Sequence, residues 1–114
     1  MERVVITGAN GFIGRHLVRE MARQGTEVTA VVRNKKGLDD CADGRVVIVE
    51  TADYERADLR RGGYDVCYHL AWGGVDARQK KDLSLQMHNI SLAVSAMQMA
   101  KRCGCKKFVG VGSI

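Results

Sequence analysis

A chain of 114 residues has room for one compact domain and no more. With 46% hydrophobic and 27% charged residues it has the balance of an ordinary globular protein, and no apolar run approaches the roughly 20 residues of a membrane-spanning helix. A net charge of +5 invites a nucleic-acid surface, but the cations are scattered singly and in doublets and aromatic residues are only 5%, so the reading is a solvated basic surface with neither nucleic acid nor membrane as partner.

In chain order, Met1-Glu2-Arg3-Val4 leads directly into an apolar run without the features of a secretory leader, so a cytoplasmic location is expected. Arg3–Thr7 is a short β-branched run of the type that forms a strand buried on both faces. Phe12 to about Arg23 carries Phe12, Ile13, Leu17, Met21 and Ala22 at helical spacing, and Gly25 stands where a helix stops. Glu27–Val32 is a second strand. Asn34–Gly44 reads as a polar loop, and Arg45–Glu50 as a third strand.

Tyr54–Arg61 is a short helix closed by Gly62-Gly63. Asp65–Ala71 is a fourth strand, followed by the glycine-containing loop Trp72–Arg78. From about Lys81 to Cys103 runs the longest helix, with Leu83, Met87, Ile90, Val94 and Met97 at alternating steps of four and three. Its methionines Met87, Met97 and Met99 read as core packing rather than as a binding stripe. Lys107–Val111 is a fifth strand. Strands alternating with helices specify an α/β fold with a parallel sheet.

Four cysteines, Cys41, Cys67, Cys103 and Cys105, give an even count. Cys103-Gly104-Cys105 has no second pair to complete a zinc site, and Cys67 lies in an apolar run, so reduced thiols and no metal are expected.

The segment richest in chemistry is Thr7-Gly8-Ala9-Asn10-Gly11-Phe12-Ile13-Gly14, between the first strand and the first helix. Small residues are needed there for a tight turn, for close approach of backbone to a pyrophosphate, and for packing of helix on sheet. Backbone N–H groups and the positive end of the helix dipole then meet the phosphates.

The spacing, Gly-x-x-Gly-x-x-Gly, resembles the extended branch of the short-chain dehydrogenase/reductase superfamily, the NAD(P)-dependent epimerases and dehydratases acting mainly on nucleotide sugars. His69-Leu70-Ala71 is similar to that family's His-x-Ala strand end along the cofactor. Asn89 is similar to the asparagine early in its long helix, and Lys107-Phe108-Val109 through Gly112-Ser113 to its fifth strand and catalytic serine. The resemblance implies a Rossmann-like doubly wound sheet in the order 3-2-1-4-5, spanning residues 1–114 and incomplete at its C-terminal side. It implies a dinucleotide held by Gly8, Asn10, Gly11, Phe12, Ile13, Gly14, Arg33, Glu50, Leu70, Ala71, Trp72 and Asn89, and Ser113 as the catalytic hydroxyl. It also implies a homodimer through the 81–103 helix.

Several of these positions carry a plainer alternative. Arg33 closes the second strand, with Lys35 and Lys36 behind it and no carboxylate in the slot. That favours NADP over NAD, since a 2′-phosphate needs cations, while a solvated strand end is the alternative. For the adenine amino group Glu50 is preferred and Asp53 is read as capping the next helix. Trp72 either lines the pocket or covers the sheet, Ser113 is either catalytic or an ordinary loop residue, and His69 is read as a satisfied core residue.

In the family a tyrosine exchanges the hydroxyl proton and a lysine four residues later lowers its pKa. Here Tyr54, Tyr64 and Tyr68 are followed at that interval by Asp58, Tyr68 and Trp72. The expectation is the cofactor-binding front part of a nucleotide-sugar epimerase, dehydratase or reductase, unable to turn over by itself. The alternative is a non-catalytic NADP-binding redox sensor.

Overall fold

The computed structural model describes residues 2–34, 36, 38, 45–57, 59, 63–71 and 83–110. Five strands, β1 (Arg3–Thr7), β2 (Glu27–Val32), β3 (Val46–Glu50), β4 (Val66–His69) and β5 (Lys107–Gly110), form one sheet in the order β3-β2-β1-β4-β5. Every neighbouring pair is parallel. Two helices, α1 (Phe12–Arg23) and α2 (Leu83–Arg102), complete the described elements with a short 3-10 turn at Tyr54–Arg56. The order and the parallel sheet agree with the doubly wound expectation.

β1 sits at the centre because its residues are apolar on both faces. Val4, Val5 and Ile6 are all fully buried. The two-residue period of a strand sends Val4 and Ile6 to one layer and Val5 to the other. In the first layer they join Val18 and Ala22 of α1, with Val28, Ala30 and Val32 of β2. In the second, Val5, Val31 and Cys67 pack under Ala96, Met99 and Ala100 of α2 and Cys103 just after it, with Tyr54 and Tyr64.

Both helices end in the same way. After α1, Gly25 N donates to Ala22 O and Thr26 N to Met21 O. After α2, Gly104 N donates to Lys101 O and Cys105 N to Ala100 O. This paired closure satisfies the last free carbonyls and turns the chain toward the next strand. At the same amino-terminal end of the sheet, Asp65 accepts Arg3 N on its carboxylate and donates its own N–H to Arg3 O, fixing the start of β4 against β1.

Several expectations need correction. Of the Tyr54–Arg61 helix, the described residues form only the 3-10 turn Tyr54–Arg56, where Asp53 Oδ1 accepts Glu55 N at 2.9 Å; residues 58, 60 and 61 lie outside the described residues. Leu38, read as part of a polar loop, is completely buried in the α1 layer. Phe12 and Ile13 are 73% and 61% exposed, so α1 packs through Gly14, Val18 and Ala22 rather than through its first two residues.

The stripe Leu83, Met87, Ile90, Val94 and Met97 is not core either. These residues are 48–73% exposed, and α2 buries Asn89, Ala96, Met99 and Ala100 instead. The helix is apolar on two sides, and the small residues are the ones that fit against the sheet.

A glycine turn at the carboxyl ends of the central strands

β1 has β2 on one side and β4 on the other, so the chain reverses its winding direction at β1. In open parallel sheets the crevice beyond the carboxyl ends of the strands at such a reversal is where ligands bind. The glycine turn lies there.

Gly8 follows β1 with φ +65, a conformation costly to any residue with a Cβ. An added Cβ would also stand 2.6 Å from Ala71 N and 2.8 Å from Leu70 C, so the turn presses directly on the backbone after β4. Gly14 is excluded from growth by the turn itself: its Cβ would lie 2.5 Å from Gly8 O and 2.7 Å from Ala9 Cα. These two glycines are demanded by the protein's own packing.

Gly11 is different. It is the N-cap of α1 with φ −73 and ψ 175, ordinary extended backbone, and among the described residues an added Cβ would meet only Gly8 O at 3.4 Å. Among the described residues no side chain caps α1, and no acidic residue sits in its first turn. The amide groups that open a helix therefore have no side-chain oxygen supplied by the cap position, and the exposed Phe12 and Ile13 flank them.

The turn is held at several points. Gly8 N donates to Val31 O at 3.2 Å, Gly11 N to Gly8 O at 3.1 Å, and Leu70 N to Thr7 O at 3.1 Å. Asn10 Nδ2 donates to Asn34 O at 3.0 Å, reaching the loop after β2. Beneath the turn, Thr7 Oγ1 and His69 Nδ1 are 2.6 Å apart in a fully buried hydrogen bond between β1 and β4. Tyr54 and Phe108 enclose the His69 ring, at centroid distances of 6.1 and 6.0 Å.

Burial holds the His69 imidazole below its ordinary range, so it is neutral near pH 7. Its Nε2 has no hydrogen-bond partner among the described residues, so His69 is satisfied on one nitrogen there, not two. Burial raises the Tyr54 phenol, opposed in part by Thr7, so the group stays protonated near neutrality.

Arg33 and Glu50 are exposed at the ends of β2 and β3, where Val32 and Glu50 are paired in register. Leu70 and Ala71 are half-buried beside Gly8. Asn89 is buried in α2, with Nδ2 3.4 Å from Gln86 Oε1. Trp72 and Ser113 lie outside the described residues. Sequence reasoning missed two features: the Thr7–His69 bond, and the Asn10 link to Asn34. Both join residues far apart in the chain, and only the pairing of polar residues at strand and turn ends hinted at them.

The sequence profile of the NAD dependent epimerase/dehydratase family matches residues 4–114. Divinyl chlorophyllide a 8-vinyl-reductase of Oryza sativa subsp. indica, a chloroplastic protein, is 32% identical over 97% of this chain and 30% of its own length. UDP-N-acetyl-alpha-D-glucosaminuronate decarboxylase of Bacillus cytotoxicus is 30% identical over 95% of this chain and 35% of its own. Among solved structures, MoeE5 in complex with UDP-glucose and NAD superposes with a TM-score of 0.73 at 23% identity, over 95% of this chain and 35% of that one. The chain thus spans about a third of the length of these relatives.

Proposed function

The chain belongs to the NAD dependent epimerase/dehydratase family, and from that premise we propose that it is the dinucleotide-binding part of a nucleotide-sugar epimerase, dehydratase or reductase. The observation that carries this reading is Gly11. Packing within the described chain and backbone conformation leave room for a Cβ there, so its absence is accounted for by a pyrophosphate approaching the turn. The uncapped start of α1 supplies N–H donors and a favourable dipole for that anion.

The dinucleotide, when bound, supplies hydride transfer. The protein's residues bind and orient it: the glycine turn takes the phosphates, Leu70 and Ala71 line the crevice beside it, and Ser113 is assigned the reacting oxygen. Arg33 and Lys36 favour the 2′-phosphate of NADP over NAD. The 114 residues alone are expected to bind without turnover, because no tyrosine among them is followed four residues later by lysine. The exposed apolar stripe of α2 supports self-association through that helix, and the cytoplasm remains the assigned location.

The name of the rice relative favours a second reading of the substrate, a chlorophyllide in place of a nucleotide sugar. Calorimetric titration with NADPH and NADH tests the binding proposal directly. Tighter binding of NADPH is expected, and Arg33→Asp should reverse the order. Equal affinities in the parent would remove Arg33 as the selector, and no binding of either would remove the proposal. Incubating the full-length protein with UDP-sugars, dTDP-sugars or divinyl chlorophyllide a, with products identified by mass spectrometry, separates the two substrate readings. Binding without any turnover on the whole panel would favour the redox sensor.

A further inference from the structure

The side chain at position 10 lies within the glycine turn, yet its hydrogen bond leads away from it. Asn10 Nδ2 donates to the backbone carbonyl of Asn34, 24 residues later, at 3.0 Å. Asn34 in turn accepts the Lys36 N–H on Oδ1 at 3.1 Å, the side-chain turn that asparagine forms with its own backbone two residues on. Three residues before Asn34, within β2, Val31 O accepts from Gly8 N at 3.2 Å. The turn is therefore tied to the end of β2 on both sides of Arg33, by one backbone bond before it and one side-chain bond after it.

We propose that Asn10 is a positioning residue that sets the selectivity for the ribose 2′-phosphate through Arg33 and Lys36, without itself holding the dinucleotide. The proposal rests on the reading of this chain as an NADP-binding one. Arg33 is an exposed, long side chain at the end of a strand, and its charge alone favours any anion. What discriminates a 2′-phosphate from a 2′-hydroxyl is a cation held where the phosphate arrives, because ordering it at the moment of binding costs side-chain and loop entropy. The Asn10 bond supplies part of that ordering in advance. It also keeps the Asn34 carbonyl oxygen turned toward the glycine turn, where an amide N–H neutralises its negative end. Asn34 then uses its own side chain to fold the backbone at Lys36, the second cation.

Calorimetry with NADPH and NADH on Asn10→Ala, Arg33→Ser, the double variant and Asn34→Ala tests this. Loss of one neutral hydrogen bond corresponds to about five-fold in an equilibrium constant. Asn10→Ala is therefore expected to weaken NADPH about five-fold more than NADH. In the Arg33→Ser background the same substitution should change NADPH affinity by less than about two-fold, since the group it positions has gone. Asn34→Ala leaves the glycine turn intact and removes the Oδ1 acceptor, so it should lower the NADPH-to-NADH ratio even if Asn10→Ala fails to fold. Equal weakening of both nucleotides by Asn10→Ala, an unchanged ratio in both Asn10→Ala and Asn34→Ala, or effects of Asn10→Ala and Arg33→Ser that add in full would each overturn the proposal while leaving dinucleotide binding in place. A parent protein that binds neither nucleotide would instead overturn the reading beneath it.

Discussion

Gly8 and Gly11 lie three residues apart in one turn, yet alanine at each should act on different properties. At Gly8 two costs combine. Placing alanine at φ +65 costs about 1–2 kcal/mol, and its Cβ would overlap backbone atoms of Leu70 and Ala71 at 2.6–2.8 Å. Those atoms belong to the backbone just after a central strand and cannot swing aside as a flexible side chain could, so overpacking adds about 1–3 kcal/mol.

A loss of about 2–5 kcal/mol is a large share of the total stability of a domain this size. At about 4 °C per kcal/mol it lowers the melting temperature by roughly 8–20 °C. At Gly11 the backbone is already extended and, among the described residues, the nearest atom to an added Cβ is 3.4 Å away. The weaker N-cap preference of alanine, a few tenths to about 1 kcal/mol, is offset by a similar reduction in unfolded-chain entropy. Melting should therefore move by no more than about 4 °C, while NADPH affinity falls at least ten-fold because the methyl group stands where the pyrophosphate must approach. Thermal melting by circular dichroism and calorimetric titration, run on the same two variants, give both readouts. A Gly8→Ala protein that melts within a few degrees of the parent would refute the steric argument. A Gly11→Ala protein that binds NADPH as the parent does would refute the assignment of the turn.

Other consequences follow from burial. His69 has its pKa depressed in the folded state, so below about pH 6.5 the unfolded chain takes up a proton that the native protein does not. Stability is therefore fully present above that pH and declines as pH falls toward 5, a window above the titration of Asp65, whose carboxyl is held below its ordinary range by the Arg3 backbone hydrogen bond. Melting curves from pH 7.5 to 5 should show this slope, and His69→Gln should flatten it; identical slopes would rule out His69 as the source. The apolar stripe of α2 gives a separate expectation: Met87→Glu with Met97→Lys should abolish self-association in sedimentation velocity, with melting changed by less than about 2 °C because both positions are more than half exposed. A parent that sediments as a monomer at all concentrations would remove the homodimer.

The order of elements and the location of the glycine turn were legible in the sequence because both are local. A β-branched run, a glycine spacing and a helical period each span fewer than a dozen residues, and the physics that interprets them acts over that range. Boundaries shifted by a residue or two, and the helix after β3 shrank to Tyr54–Arg56. Periodicity showed that α2 has an apolar stripe, but it could not show what covers it. The sheet took the side with Ala96, Met99 and Ala100, whose close fit over Val5 and Cys67 left the larger Leu83, Met87, Ile90, Val94 and Met97 outside.

Leu38 was hidden in the same way, since one apolar residue in a polar loop has no period to announce it. Thr7 with His69, and Asn10 with Asn34, are pairs separated by 62 and 24 residues. Their bonds exist only because β4 lies beside β1 and β2 lies on its other side. Thus the sequence by itself determined that a glycine turn joins a buried strand to a helix. The tertiary structure decided which glycines the protein needs for its own packing and which one it leaves open, because that depends on the distance to backbone from elsewhere in the chain.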